Sequence, residues 1–169
     1  KLDRRSSQVY VCEGWATGAS LHRATGRPVV CAMTANNLAL VAAEIRARFG
    51  PGIRIYVACD EDRDRTENHG RNDAMKAAQK ARGEIIYPPK PSGFSDDSKW
   101  DFNDLDLSLG GKLAEVISDL KPHRPEFEPS EDFTAVTRPS YGVYDDWVRI
   151  EGQIRGPGVW FHSTKDDGN

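Results

Sequence analysis

Short runs of apolar residues alternate with amphipathic segments along the first 120 residues of the chain. Four apolar runs have the length and composition of buried strands: 9–12, 28–32, 53–58 and 84–88. Helical spacing of apolar residues marks four further segments: 16–25, 36–49, 71–83 and 110–121. Strands that alternate with helices usually pair in parallel. The pattern therefore predicts an α/β domain over 8–120, with an open, mainly parallel four-stranded sheet and helices on both faces.

The same spacing predicts where helices end and which side chains form the core. Gly26 ends the first helix, Asn36 or Asn37 caps the second, Gly50-Pro51 stops it, and Gly83 ends the third. The predicted core comprises Val11, Val30, Leu38, Val41, Ile45, Phe49, Ile55, Val57, Ala78, Ile85, Val116 and Leu120.

The pattern changes near residue 121. Residues 121–132 are rich in proline and acid, which is typical of a linker. Residues 133–169 contain aromatic and β-forming residues interrupted by glycines, and we expect the start of a further β-rich domain or tail there. The abrupt start and end of the sequence lead us to expect a fragment of a longer protein.

Composition and charge exclude some classes. The net charge of −3 provides no overall basic field for nucleic acid, so any such contact must be local or supplied by other domains. No apolar run approaches the roughly 18 residues of a membrane span, and no signal peptide opens the chain. The three cysteines form no C-x-x-C pair and each ends an apolar run, which favours buried thiols and a cytoplasmic protein.

Acidic residues follow the predicted strands. "IYVACDED" runs from a strand interior directly into Asp60, Glu61 and Asp62, and Glu13-Gly14 follows the first strand. The carboxyl ends of parallel strands share one edge of a sheet, where ligands bind. Bunched carboxylates repel one another, and a hard divalent cation such as Mg²⁺ would relieve that repulsion. The structural alternatives are a solvated acidic loop and, for Glu13, an acid favoured by a helix dipole.

A further acidic segment, "KWDFNDLDLSLGG", precedes the last predicted helix. We expect Asp101, Asn103 and Asp104 in a loop at the same edge, anchored by Phe102 and Leu105. The alternative for Asp104 is a turn or helix-cap residue.

Four motifs in this order resemble the Toprim domain, in the version found in phage and plasmid primases. They are "EGWATG", the D-x-D pair in "CDED", "ENHGRNDAMKAA" and "DFND", and the resemblance covers about residues 8–120. It implies a compact α/β domain that binds Mg²⁺ or Mn²⁺ and supports nucleotidyl transfer or strand cleavage. Glu13, Asp60 and Asp62 match the family's catalytic and metal-binding acids, and Asp101 and Asp104 match its further acidic loop.

One departure is Glu61, where many members have a small or polar residue. It leaves open whether Glu61 or Asp64 also contacts metal.

The resemblance implies the catalytic Toprim part of a DNA primase, as a fragment of a larger primase-helicase protein. Its partners would be single-stranded DNA template, nucleotides and the remaining domains of the parent chain. Candidate nucleotide or nucleic-acid contacts are Arg63, Arg65, Arg71, Asn36 and Asn103; the arginines are alternatively ordinary solvated residues.

Two other functions use the same fold. One is a nuclease or a topoisomerase, for which Tyr141 and Tyr144 are available tyrosines without a supporting pattern. The other is a non-catalytic module that serves as a scaffold or binds DNA.

Overall fold

The computed structural model describes residues 2–3, 5–62 and 67–126. Its four strands form one parallel sheet in the order β2-β1-β3-β4. The strands are β1 (Gln8–Cys12), β2 (Val29–Cys31), β3 (Arg54–Ala58) and β4 (Glu84–Ile86). The helices are α1 (Trp15–Thr25), α2 (Ala35–Phe49), α3 (His69–Ala81), α4 (Phe102–Ser108) and α5 (Leu113–Asp119). The predicted α/β fold is confirmed.

The strand order determines where a ligand site can form. The chain leaves β1 toward β2 through α1, and then crosses back to β3 through α2. Right-handed crossovers in opposite directions place their helices on opposite faces of the sheet. Accordingly α2 packs against α3, whereas α1 packs against α4 and α5. The reversal lies between β1 and β3, which is the position of a topological switch point.

The core lies where the inner strands are covered on both faces. Val11 of β1 is level with Val30 and Val57, and all three are buried. The predicted core is wrong at four positions, since Val41, Phe49, Val116 and Leu120 are only partly buried. The last two lie at α5, which packs mainly on α1 and α4, so Leu113 is the fully buried residue of its apolar stripe. The three cysteines are free and buried, as expected.

The starts of α2 and α3 differ from the predictions. Thr34 rather than Asn36 or Asn37 is the N-cap of α2, because the chain already turns at Met33, which has a φ of 67°. In α3 the Asn68 side chain accepts a hydrogen bond from Arg71 N, so this helix begins at His69, two residues earlier than expected. Gly26 ends α1 in the left-handed conformation, as predicted.

The predicted loop around Asp101 is partly wrong. Residues Phe102–Ser108 form α4, and Asp101 is its N-cap. The helix was missed because it is short and its acids were assigned to a loop. The predicted tail, 133–169, and the end of the predicted linker lie outside the described residues, so those boundaries stay predictions. Among the described residues, no helix is long and apolar enough to cross a membrane.

Gly70, in the first turn of α3, allows this helix to approach the end of β3. A Cβ atom added at Gly70 would lie 2.0 Å from the carbonyl oxygen of Asp60. We expect Gly70→Ala to lower the free energy of unfolding by about 1–3 kcal/mol, the usual cost of overpacking. Helix propensity alone predicts the opposite sign, a gain of up to about 1 kcal/mol. Urea unfolding measures the difference.

Gly52→Ala is the control, because a Cβ there meets nothing within 4 Å. Stabilisation by Gly70→Ala would contradict the tight contact between α3 and Asp60.

Candidate metal centre at the carboxyl edge of the sheet

The fold brings together the acids that follow β1, β3 and β4. The pKa of Asp60 is raised to about 7, first by burial and then by the negative charges of Asp101, Glu13, Asp62 and Asp104. A charge affects another group's pKa in this way only when it lies close by. All five carboxylates therefore share one edge of the sheet, next to the switch point between β1 and β3.

Asp60 carries the least satisfied of these carboxyl groups. Its Oδ1 is buried and, among the described residues, has no hydrogen-bond partner. A buried carboxylate oxygen without a partner is costly, so the group holds its proton to higher pH than usual. The backbone around it is fixed, since Cys59 N donates to Ile86 O of the neighbouring strand at 2.9 Å. Asp60 is thus held rigidly with one oxygen available for a ligand.

Glu13 is positioned by the start of α2 rather than by α1, which directly follows it. Its pKa is raised by burial and by Asp73 and Asp62, and a hydrogen bond from the backbone N–H of Ala35 opposes that rise. Met33 N also donates to the backbone carbonyl of Glu13 at 2.8 Å, which extends the pairing of β1 with β2. The alternative role of Glu13, an acid at the positive end of a helix dipole, is therefore present in part. The helix concerned is α2, not α1 as expected.

Asp62, which follows β3 by four residues, is anchored through its backbone to the start of α3. Asp62 N donates to Asn68 Oδ1 at 3.2 Å, and His69 N donates to Asp62 O at 3.1 Å. Its side-chain Oδ1 is buried and forms an ion pair with Lys99 rather than a directed hydrogen bond. The D-x-D segment thus has a fixed backbone, and its two aspartates differ: Asp62 pairs with Lys99, whereas Asp60 Oδ1 has no hydrogen-bond partner among the described residues.

Glu61, between the two aspartates, has a structural role. Its side chain is 1% exposed, Oε1 accepts from Arg71 Nε at 2.8 Å, and Oε2 accepts from Asn68 Nδ2 at 2.6 Å. Through these two contacts Glu61 ties the D-x-D segment to the start of α3. Whether Glu61 touches metal was left open by the sequence; its carboxylate is committed to Arg71 and Asn68. Asp64 lies outside the described residues.

The candidate nucleic-acid contacts fall in different surroundings. The guanidinium of Arg71 contacts Glu61 Oε1 at 2.5 Å and lies 4.9 Å from the ring centre of Tyr87. Asn36 is exposed in the first turn of α2. Arg63 and Arg65 lie outside the described residues. Arg71 is therefore already engaged in supporting the D-x-D segment, whereas Asn36 is open to solvent at the edge.

Asp101 and Asp104 form a capping box at the start of α4. Asp101 Oδ1 accepts from Asn103 N at 2.8 Å and from Asp104 N at 2.9 Å. Asp104 Oδ2 accepts from Asp101 N at 3.1 Å in return. Asp104 is thus a helix-cap residue, which was the alternative to a site residue. Only its Oδ2 takes part in the cap, and Oδ1 does not.

Polar side chains of α1 fasten α4 to the edge, and sequence reasoning missed them. Thr17 donates to Asp101 Oδ2, Ser20 donates to Asn103 Oδ1 at 3.2 Å, and Arg23 forms an ion pair with buried Asp106. Thr17, Ser20 and Arg23 are spaced by three residues and so lie along one face of α1. This spacing is the only sign in the sequence that the three side chains act together. It does not reveal their partners, which lie more than 80 residues further along the chain.

A family model described as "Toprim domain" matches residues 8–111. The chain belongs to the Toprim domain family. Two curated proteins from Escherichia coli, both named "DNA primase TraC", are 37% and 36% identical to it over 84 residues. Each match covers 47% of this chain but only 6% and 8% of the respective relative, so the chain spans less than a tenth of their length. No solved structure matches.

Toprim domains bind divalent metals, and the donor set at this edge suits such an ion in part. The oxygen-only ligands and the unpartnered Asp60 Oδ1 fit a hard cation. Within the described ranges, however, no three carboxylates are arranged to share one ion. Mg²⁺ usually takes one or two carboxylates, with waters and substrate phosphates completing its shell. The residues therefore fit an ion held through Asp60 and few other protein ligands.

The raised pKa of Asp60 predicts a pH-dependent effect of Asp60→Asn without metal. The folded state holds the Asp60 proton up to about pH 7, whereas the unfolded chain releases it near the ordinary value of 3.8. Folding of the wild type thus loses stability as pH rises from about 4 to above 7. An amide does not titrate, so the variant should equal the wild type near pH 4. It should be more stable by roughly 1 kcal/mol or more at pH 8.

Urea unfolding in chelator at pH 4.5, 6, 7 and 8 measures this difference. A variant that is destabilised at every pH would mean that Asp60 is a structural hydrogen-bonding residue.

Proposed function

We propose that this Toprim domain is the catalytic part of a DNA primase, which joins nucleotides in a reaction that depends on Mg²⁺ or Mn²⁺. The observation that carries the proposal is Asp60: a rigidly held, unpartnered carboxyl oxygen beside four other acids. No protein cation contacts Asp60 in the described part of the chain, so a bound divalent ion is the natural counter-charge. The names of the two relatives favour primase chemistry over other Toprim activities.

Each acid has a separate part in the proposed reaction. Divalent metal supplies charge neutralisation at the phosphates of an incoming nucleotide and at the attacking hydroxyl. Asp60 and Asp62 hold it, with their backbone fixed by pairing to β4 and to the start of α3. Glu13 accepts a proton or holds a second ion, and its raised pKa makes it a better proton acceptor than an ordinary glutamate. Asp101 and Asp104 extend the negative edge.

Contacts to nucleotide and single-stranded template are proposed for Arg63, Arg65, Asn36 and Asn103. The chain has no overall positive charge, so gripping of the template falls mainly to other domains of a longer parent protein. Arg71 belongs instead to the support of the D-x-D segment, given its contacts with Glu61 and Tyr87. Helicase domains in that parent and a cytoplasmic location complete the proposal; the three free, buried thiols are compatible with a reducing compartment.

Metal binding is tested first, by thermal melting. A ligand that binds only the folded state adds RT ln(1 + [L]/Kd), about 2.7 kcal/mol at a hundredfold excess over Kd. We expect the wild type to melt several degrees higher in millimolar Mg²⁺ or Mn²⁺ than in chelator. Asp60→Asn should respond much less, because the amide is a weaker ligand without charge.

Asp119→Asn is the matched control, since Asp119 is exposed and is not among the charges that raise the pKa of Asp60. An equal response of both variants to metal would remove Asp60 from the metal site.

The reaction itself is tested with the parent protein on single-stranded template. Primer synthesis that requires divalent metal and is lost in Asp60→Asn supports a primase. Metal-dependent cleavage of the template without synthesis would assign nuclease or topoisomerase chemistry instead. Metal binding with neither activity would leave a scaffold or DNA-binding module.

A further inference from the structure

Lys99 contributes a positive charge to the acidic edge. Its ammonium group forms an ion pair with the buried Oδ1 of Asp62. In the described part of the chain, no other basic residue forms an ion pair with Glu13, Asp60, Asp62, Asp101 or Asp104. The pair therefore places a cation of the protein on one of the two aspartates proposed to hold metal.

The backbone fixes where this cation enters. Glu61 and Trp100 form an antiparallel bridge, with Glu61 N to Trp100 O at 2.9 Å and Trp100 N to Glu61 O at 3.1 Å. In such a bridge the residue after one partner lies beside the residue before the other, which brings Lys99 next to Asp62. The bridge is secured by the Trp100 indole, which is buried and donates to Pro88 O at 3.0 Å.

The side chain of Lys99 is largely exposed although the backbone beside it is fixed. It is 69% exposed, whereas Asp62 is 39% exposed. A lysine is a flexible stem that carries a compact point charge, so it can leave one anion and reach another nearby. The geometry thus combines a fixed base at the metal edge with a mobile positive end.

An ammonium group and a divalent ion cannot share Asp62 Oδ1 without strong repulsion, because both are cations at contact distance from one oxygen. Metal that binds through Asp62 Oδ1 must therefore displace Lys99. A nucleotide brought in with the metal carries several negative phosphate oxygens to the same edge, and these are suitable new partners for a released ammonium group.

We propose that Lys99 is an exchangeable counter-cation: it holds Asp62 in the metal-free protein, yields it to divalent metal, and then binds the phosphates of a nucleoside triphosphate. The inference rests on the proposed function, since it assumes metal at Asp62. Lys99 would then lower the affinity for metal and raise the affinity for nucleotide. A lysine that merely solvates a surface acid would affect neither.

Lys99→Met removes the charge and keeps most of the length of the unbranched side chain. We expect this variant to bind Mn²⁺ roughly fivefold tighter than the wild type, because the competing cation is gone. Lys90→Met is the matched control: Lys90 lies in the same segment and pairs with Asp96, which is not among the acids of the edge. Both variants change the net charge by the same amount, so only Lys99→Met should differ. Calorimetric titration with MnCl₂ at fixed ionic strength measures both.

Nucleotide binding gives the second readout. With Mn²⁺ saturating, a non-hydrolysable nucleoside triphosphate analogue should bind Lys99→Met roughly tenfold more weakly than the wild type. Lys99→Arg, which keeps the charge, should stay near the wild type. Melting in chelator shows whether each variant folds, and Lys99→Gln, with a polar end, replaces the methionine variant if that one does not.

The outcomes separate this inference from the proposed function. If the wild type binds Mn²⁺ and Lys99→Met binds it equally or more weakly, Lys99 does not compete with metal, and the inference is overturned while the metal site stands. If metal affinity rises but nucleotide affinity is unchanged, the transfer to phosphate is overturned. If neither the wild type nor any variant binds Mn²⁺, the proposed function is overturned and the inference with it.

Discussion

Repulsion among carboxylates at one edge of the sheet is the constraint on which the rest of this domain depends. Burial raises the pKa of Asp60, and four other acids lie close enough to add to the effect. A folded chain retains such an arrangement only if the surrounding structure fixes it. Around this edge the backbone and the neighbouring side chains are accordingly fixed by hydrogen bonds and tight packing, while Asp60 Oδ1 has no hydrogen-bond partner among the described residues.

The support is built from residues that do not face the metal edge. Glu61 turns inward and binds Arg71 and Asn68, which joins the D-x-D segment to α3. Gly70 lets the same helix approach the Asp60 carbonyl closely. A buried ion pair is weak evidence of stability by itself. Here its consequence is geometric: it holds in place the backbone that carries Asp60 and Asp62 on either side of Glu61.

The second support joins elements that are far apart in sequence. Thr17 and Ser20 of α1 bind Asp101 and Asn103 at the start of α4, and so they hold the last acids near those that follow β1 and β3. Because β1 is central and the crossover direction reverses beside it, the acids from its end and from the end of β3 flank the same crevice. The short helix α4 and the switch point between β1 and β3 therefore bring the acids of three separate segments to one edge of the sheet.

The sequence by itself determined the four strands and the helices between them, the parallel sheet and the edge where the acids gather, but not the short helix α4. Apolar periodicity and chain-order rules are local signals, and they suffice for these features. Only the tertiary structure decided which acids stay free and which are used. Glu61 and Asp62 are adjacent in sequence, yet one is buried on Arg71 and the other meets Lys99. The extent of burial at Val41, Phe49 and Val116 likewise depended on how the helices pack. The partner of an acid and the burial of a helix side chain depend on residues that folding brings together from distant parts of the chain. A local sequence pattern does not contain that information.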